Sequence, residues 1–252
     1  MPTLADVQSA AHRHVFETMG TTVSLAFAGP APERAGGVVE RVFAILDRRF
    51  SLYRADSEAT AVARGELAIA DASPSYRNSY ALAKRWSAET RGAFTAHRPD
   101  GSIDLCGVIK AQAIRESATA LVRLGARAWC LNAGGDMLTS GVQADGRPWV
   151  IGIVDPDDRH ALVSQFTCAT ALPAVATSGT AERGEHVWRT ASAPDFRQVT
   201  VAAPDIMTAD VLATAILAGG RETLEHAVSR WPIEVLAATT SGGYVATAAF
   251  RG

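Results

Sequence analysis

The chain has 252 residues, of which 48% are apolar and 20% charged, with a formal net charge of −2; this is ordinary globular composition, enough for one large domain or two small lobes sharing a core. The near-neutral balance excludes the basic footprint of a nucleic-acid binder and a polybasic membrane patch, and no apolar run approaches the length that spans a bilayer. Three widely spaced cysteines, Cys106, Cys130 and Cys168, fit neither a disulfide framework nor a zinc pattern.

The opening "MPTLADVQSAAHRHVF" has no basic head, apolar core or lipidation cysteine. No signal peptide is read from it, so the expected location is the cytoplasm. Residues 1–13 are expected to form an arm and residues 14–252 the domain. "MGTTVSLAFAG" (19–29) is β-branched and ends in Gly-Pro, a strand. "PERAGGVVERVFAILDRRF" (32–50) spaces its apolar residues for a helix. Ser57 and Glu58 open a short helix, and "SPSYRNSYALAKRWSAETRG" (73–92) is a longer one ended by Gly92. A further helix covers 107–125. "AWCLNAGGDMLTSG" (128–141) reads strand, turn, strand. "WVIGIVDP" (149–156) reads as a buried strand, and "AVATSG" (174–179) and "QVTVAAP" (198–204) as short strands. Helices are expected over 208–220 and 221–231, then a hairpin from "EVLAATT" and "GYVATAAF". Hairpin-like strand pairs with helices between blocks predict an α+β fold, a mostly antiparallel sheet packed with helices in one two-lobed domain with a cleft. Loop-like composition gathers at 95–102 and 177–197, and long loops in a compact domain are often functional.

Four polar clusters interrupt the apolar patterns. In "SIDLCGVIKAQA", Asp104 precedes a helix, and Lys110 lies in its first two turns. Gly107 between them would let the backbone approach a ligand. Asp104 also suits a helix start for structural reasons alone. Only Lys84 and Lys110 among the 24 basic residues are lysine, which hints that a compact ammonium is needed at Lys110. In "NAGGDMLTSG", two glycines and Asp136 make a tight turn. In "VATSGTAERGEH", Thr177, Ser178 and Gly179 offer hydroxyls and amides to a phosphate, and His186 ends the loop. In "FSLYRADSE", Tyr53 could stack on a flat ligand or be half-buried core. Finally, "TADVLATAILAGG" stacks Asp210 above Thr214 on consecutive helical turns. With Thr208 as N-cap, Asp210 would complement the helix dipole and Thr214 would bond back to the carbonyl of residue 210. Alternatively the two oxygens hold a hard cation such as Mg²⁺.

The order of these stretches is similar to that of a known family. "FETMGTTVSL", "FSLYRADSE", "RGAF", "IDLCGVIKAQA", "NAGGDMLTSG", "WVIGIVDP", "ATSG", a histidine, "VTVAAP" and "ADVLATA" together resemble the FAD:protein FMN transferases, or ApbE-type flavin transferases. The resemblance implies an α+β, Mg²⁺-dependent enzyme that cleaves FAD. Such an enzyme attaches FMN by a phosphoester to a threonine of an acceptor protein and releases AMP. It implies Met19, Tyr53, Ala93, Phe94, Thr95, Asp104 and Lys110 around FAD. It implies the cation between the Gly107 carbonyl, Asp210 and Thr214, and His186 as catalytic base, with Lys110 compensating phosphate charge. The partners implied are FAD and the acceptor protein, without nucleic acid or a membrane span.

The chain departs from the family pattern around the flavin and acceptor side. "HVWRTASAP" stands where the family continues from its histidine with Asp-Pro-x-Thr-Gly. Lys110–Ala111 replaces Lys-Gly, and Arg115 and Thr95 stand where acidic residues are usual. The stretch between "RGAF" and "SIDL" is short. A Mg²⁺-dependent FAD pyrophosphatase and a non-catalytic flavin-binding protein are the alternative readings.

Overall fold

The computed structural model describes residues 12–158, 160–179 and 195–250. The elements run β1 (His12–Thr18), β2 (Thr21–Phe27), α1 (Ala35–Phe50), α2 (Glu58–Ala63), α3 (Pro74–Glu89), α4 (Cys106–Arg123), β3 (Trp129–Ala133) and β4 (Asp136–Ser140). They continue with β5 (Val150–Val154), β6 (Leu162–Thr167), β7 (Ala174–Gly179), β8 (Phe196–Ala203), α5 (Ile206–Arg230), β9 (Glu234–Thr239) and β10 (Tyr244–Ala246).

Eight strands form one sheet in the order β1-β2-β3-β4-β7-β8-β9-β10, and each neighbouring pair is antiparallel. Strands β5 and β6 form a separate ribbon. Alternation along the strands sorts the core into two layers. Ala174, Ala176, Val201, Ala203, Val235 and Ala237 join the main core with α1, α4 and α5. The intervening Val175, Ala202 and Leu236 face the other way, onto Ile151 and Ile153 of the ribbon, Phe166 and Phe250. Helices thus cover one face of the sheet and the ribbon part of the other, the α+β arrangement expected from the strand pairs.

Besides strand β6, which the sequence reading lacks, three details differ from it. Strand β1 escapes it because its apolar Val15 is 51% exposed, while His14 and Phe16 form the inner row; the pattern is inverted at a sheet edge. Strand β5 is not buried on both sides: Ile151 and Ile153 point inward, and Val150 and Gly152 are exposed, as a two-stranded ribbon requires. The third is the start of α5. Asp205, not Thr208, is its N-cap, accepting the Thr208 N–H at 3.0 Å and the Thr208 hydroxyl at 2.6 Å. The helix therefore begins at Ile206, and Asp210 sits beyond its first turn. The expected break between two helices survives as one non-helical residue, Gly220 (φ 71°).

Candidate functional site

A cleft of about 410 Å³ opens where the turns of the β1–β2 and β3–β4 hairpins and the end of β7 meet α4, α5 and the segment after α3. That volume suits a small molecule. Its wall includes Met19, Tyr53, Ala93, Phe94, Thr95, Asp104, Gly107, Lys110, Asp210 and Thr214. These ten residues, spread over nearly 200 positions of chain, are all those that the family resemblance implies for FAD and the cation; His186, its implied base, lies outside the described residues. Arg98, Gly134, Thr177, Ser178 and Gly179 also line it.

Each part has a local cause. Met19 and Gly20 form the two-residue turn joining β1 to β2, both with positive φ (49° and 67°). This turn type matches strand twist, but a methionine there is strained by about 1–2 kcal/mol. Tyr53 is 86% exposed, so the half-buried core alternative does not hold; its ring stands at the cleft rim. The Ala93–Phe94 segment is tied down by Thr90, whose hydroxyl accepts the Phe94 N–H at 3.0 Å and whose carbonyl accepts the Ala93 N–H at 3.0 Å. Phe94 is buried against Gly107: a Cβ there would lie 2.9 Å from the Phe94 ring. The space a side chain would fill at Gly107 thus belongs to that ring, a reason the sequence reading missed.

The loop at 95–102 is a compact turn. Arg98 N–H donates to Ser102 O at 2.9 Å, Asp104 N–H donates to Ala96 O at 2.8 Å, and His97 bridges Ile103. The turn carries Arg98 back onto Asp104: Nε donates to Oδ2 at 3.2 Å, and Nη2 donates to the same oxygen. Asp104 Oδ1 accepts the Cys106 N–H at 2.9 Å, at the start of α4. Burial alone would raise the Asp104 carboxyl above its ordinary value; the bonds from Cys106 and the Arg98 guanidinium outweigh it and hold the carboxyl low. Asp104 therefore does both things considered for it: it supports the helix start and faces the cleft.

On the opposite wall are hard oxygens. Asp210 is 5% exposed. Ser178 and Thr214 share a hydroxyl hydrogen bond at 3.0 Å, which joins the end of β7 to α5; the bond of Thr214 expected within its own helix is replaced by this one. Thr177 bonds Thr200 at 2.9 Å. Lys110 Nζ is ion-paired with Asp136 Oδ2, and Asp136 is fully buried. Asp136 is thus more than the end of a turn. The set of one buried carboxylate, hydroxyls and a backbone carbonyl at Gly107 is chemically suited to Mg²⁺, which takes oxygen ligands and few protein carboxylates. Among the described residues, no group of three or more His, Cys, Asp or Glu side chains that could hold a metal ion occurs.

Fold and cleft together define, among the described residues, an α+β protein with a candidate ligand cleft between a helix layer and the turns of an antiparallel sheet. The chain belongs to the ApbE family, whose model matches residues 95–237, more than half of it. This is the family that the ordered motifs resemble. Solved structures share the fold. The flavinyl transferase ApbE of Pseudomonas stutzeri superposes with a TM-score of 0.76 at 20% identity, over 94% of this chain and 95% of that one. The flavin transferase ApbE of Vibrio cholerae gives 0.75 at 21% identity, over 95% and 98%. The ApbE protein of Thermotoga maritima gives 0.75 at 17% identity, over 94% and 96%. No curated protein sequence matches. Among the described residues, no helix is long and apolar enough to cross a membrane.

Proposed function

We propose that the protein is a Mg²⁺-dependent flavin transferase that moves the FMN half of FAD onto a threonine of an acceptor protein and releases AMP. The observation that carries this reading is that the ten residues which the resemblance implies for FAD and the cation line one cleft, in a chain of the ApbE family.

Transfer forms a bond between a threonine oxygen and the FMN phosphorus and breaks the bond from that phosphorus to the bridging oxygen, which leaves with AMP. The hydroxyl proton passes to a base, the role assigned to His186. Tyr53 and the Ala93–Phe94–Thr95 segment offer flat and apolar surface to the flavin nucleotide, and Met19 closes the rim. Lys110 supplies a fixed positive charge to oxygens that gain negative charge. Asp210, Thr214 and the Gly107 carbonyl are the assigned Mg²⁺ ligands, and the ion when bound supplies further charge compensation at the diphosphate. Asp104 with Arg98 braces the start of α4 and so the position of Gly107 and Lys110.

The test is incubation with FAD and Mg²⁺, with and without an acceptor domain, reading AMP by chromatography and flavin on the acceptor by mass. AMP and flavinylation only with acceptor support transfer. AMP without acceptor replaces it with FAD hydrolysis, and tight FAD binding without AMP replaces it with a flavin-binding role. Calorimetric titration should also rank FAD above NAD and ATP; equal affinity for ATP would mean that the cleft reads only the adenosine diphosphate portion.

A further inference from the structure

Asp136 follows a turn, yet it does not serve that turn. Gly134 and Gly135 make the turn with positive φ (61° and 92°), and Asn132 Oδ1 braces it by accepting the Gly135 N–H at 2.9 Å. The Asp136 side chain points elsewhere. It is fully buried and joins two distant parts of the cleft wall: Oδ2 pairs with Lys110 Nζ on α4, and Oδ1 accepts the Thr177 N–H of β7 at 3.3 Å, across 41 positions of sequence. Both Lys110 and Thr177 line the cleft; Asp136 does not. The next residue on β7, Ser178, bonds Thr214 of α5 at 3.0 Å.

A carboxylate fully removed from water persists only when its charge is matched and its oxygens are bonded. A lysine stem is flexible, with a single point charge at its end. An ammonium meant to meet a phosphate at one place therefore needs an anchor behind it. We propose that Asp136 is a positioning residue for the transfer reaction: from behind the cleft wall it fixes the Lys110 ammonium and the end of β7 in one register, so that the lysine and the Ser178–Thr214 oxygens face the same diphosphate. This rests on the flavin-transferase reading above. It assigns Asp136 no contact with substrate.

The test is a double-mutant cycle of Asp136→Asn and Lys110→Met, read as AMP release from FAD with Mg²⁺ and acceptor, together with FAD binding. Asparagine keeps the shape and the acceptor for Thr177 but not the charge. Asp136→Asn should lower kcat by about 10–100-fold, the range seen when a group that orients a functional ligand is removed. FAD affinity should change less than about threefold. In the Lys110→Met background, Asp136→Asn should have no further effect on kcat, because its action runs through the lysine. A second, equal loss in that background, or an unaltered kcat in the single variant, overturns the proposal.

If Asp136→Asn alone does not fold, the double variant decides. It leaves no unpaired buried charge, so it should fold even where Lys110→Met, which strips the buried Asp136 of its partner, does not, and should be no slower than any folded Lys110→Met; a double variant that is unfolded or slower overturns the proposal. A readout that needs no turnover uses the two lysines of the chain. With lysine-selective ¹⁵N labelling, and Lys84→Arg for assignment, the Lys110 ammonium should give a signal at neutral pH that Asp136→Asn abolishes. Persistence of that signal overturns the anchor. A wild-type protein that releases no AMP fails the transfer reading while the spectrum still decides the pairing. Normal turnover by Asp136→Asn fails the positioning proposal and leaves the transfer reading standing.

Discussion

Gly107→Ala is the sharpest test of how the cleft is built. The residue lies inside α4, where alanine is preferred over glycine by up to about 1 kcal/mol, so helix propensity alone predicts a more stable protein. Packing predicts the reverse. The new methyl would stand 2.9 Å from Cε2 and 3.2 Å from Cζ of Phe94, against the 3.5 Å or so at which carbon atoms normally rest. The ring must retreat by roughly 0.5 Å, yet Phe94 is 3% exposed and its backbone N–H is tied to Thr90. Overpacking of this kind costs about 1–3 kcal/mol. Net of the propensity gain, the variant should lose about 1 kcal/mol, or about 2–4 °C in Tm for a domain of this size. Its FAD affinity should fall, because the displaced ring forms part of the cleft wall. Thermal melts and FAD titrations measure both. In a Phe94→Leu background, where the ring is gone, Gly107→Ala should cost much less. A Gly107→Ala protein with a raised Tm and unaltered FAD binding would refute the packing argument.

Three further outcomes are expected. Asp210→Ala should cut Mg²⁺-dependent turnover by about 10²-fold or more, and Thr214→Val should raise the Mg²⁺ needed for half-maximal rate with a smaller loss; a Mg²⁺ titration of each rate separates them, and full activity in Asp210→Ala would sink the metal assignment. His186→Ala should leave FAD binding nearly unchanged and slow transfer by about 10²–10⁴-fold, with the wild-type rate falling as pH drops through the ordinary histidine value of about 6.5; a variant that turns over normally makes the histidine a bystander. Asp104, whose carboxyl is held below its ordinary 3.8 by the bonds that outweigh its burial, should contribute stability that is full above that value and lost as pH falls through the lower folded one. Melting curves of wild type and Asp104→Asn should therefore differ at pH 7 and converge only as pH is taken below that lower folded value, and a gap that stays constant with falling pH would contradict the pairing with Arg98 and Cys106.

How far the sequence discloses such a protein depends on the range of the interactions that shape each part. Helices α1 to α4 were legible because their signals are local: α1 spaces its apolar residues for one face, Ser57 and Ser73 cap α2 and α3 from the side chain, and Gly65, Gly92 and Gly125 follow the ends of α2, α3 and α4. The β3–β4 hairpin was legible from Gly134–Gly135. Strand β6 was not, because only Phe166 in "LVSQFT" is buried, and a ribbon lying on another sheet shows its polar side to solvent. The start of α5 was misread for a similar reason. Thr208 and Asp205 are both plausible caps, and the choice between them depends on where the chain leaves β8.

That misreading bears on the site. With Thr208 as cap, Asp210 would sit in the first turn, and the helix dipole would be reason enough for a carboxylate there. With Asp205 as the cap, the first-turn donor is already met by Asp205, and the dipole's pull on Asp210 falls away with distance along the helix. The same shift leaves Thr214 bonded to Ser178 of β7 rather than within its own helix. What remains is a carboxylate only 5% exposed in a helix otherwise rich in alanine, leucine and isoleucine, and burial of such a group costs several kcal/mol unless something positive meets it. Local sequence rules do not account for a carboxylate at that depth; the fold does, by setting Asp210 on the wall of the cleft. Asp136 follows the same logic: read from its neighbours it closes a turn, and only the fold brings Lys110 to it.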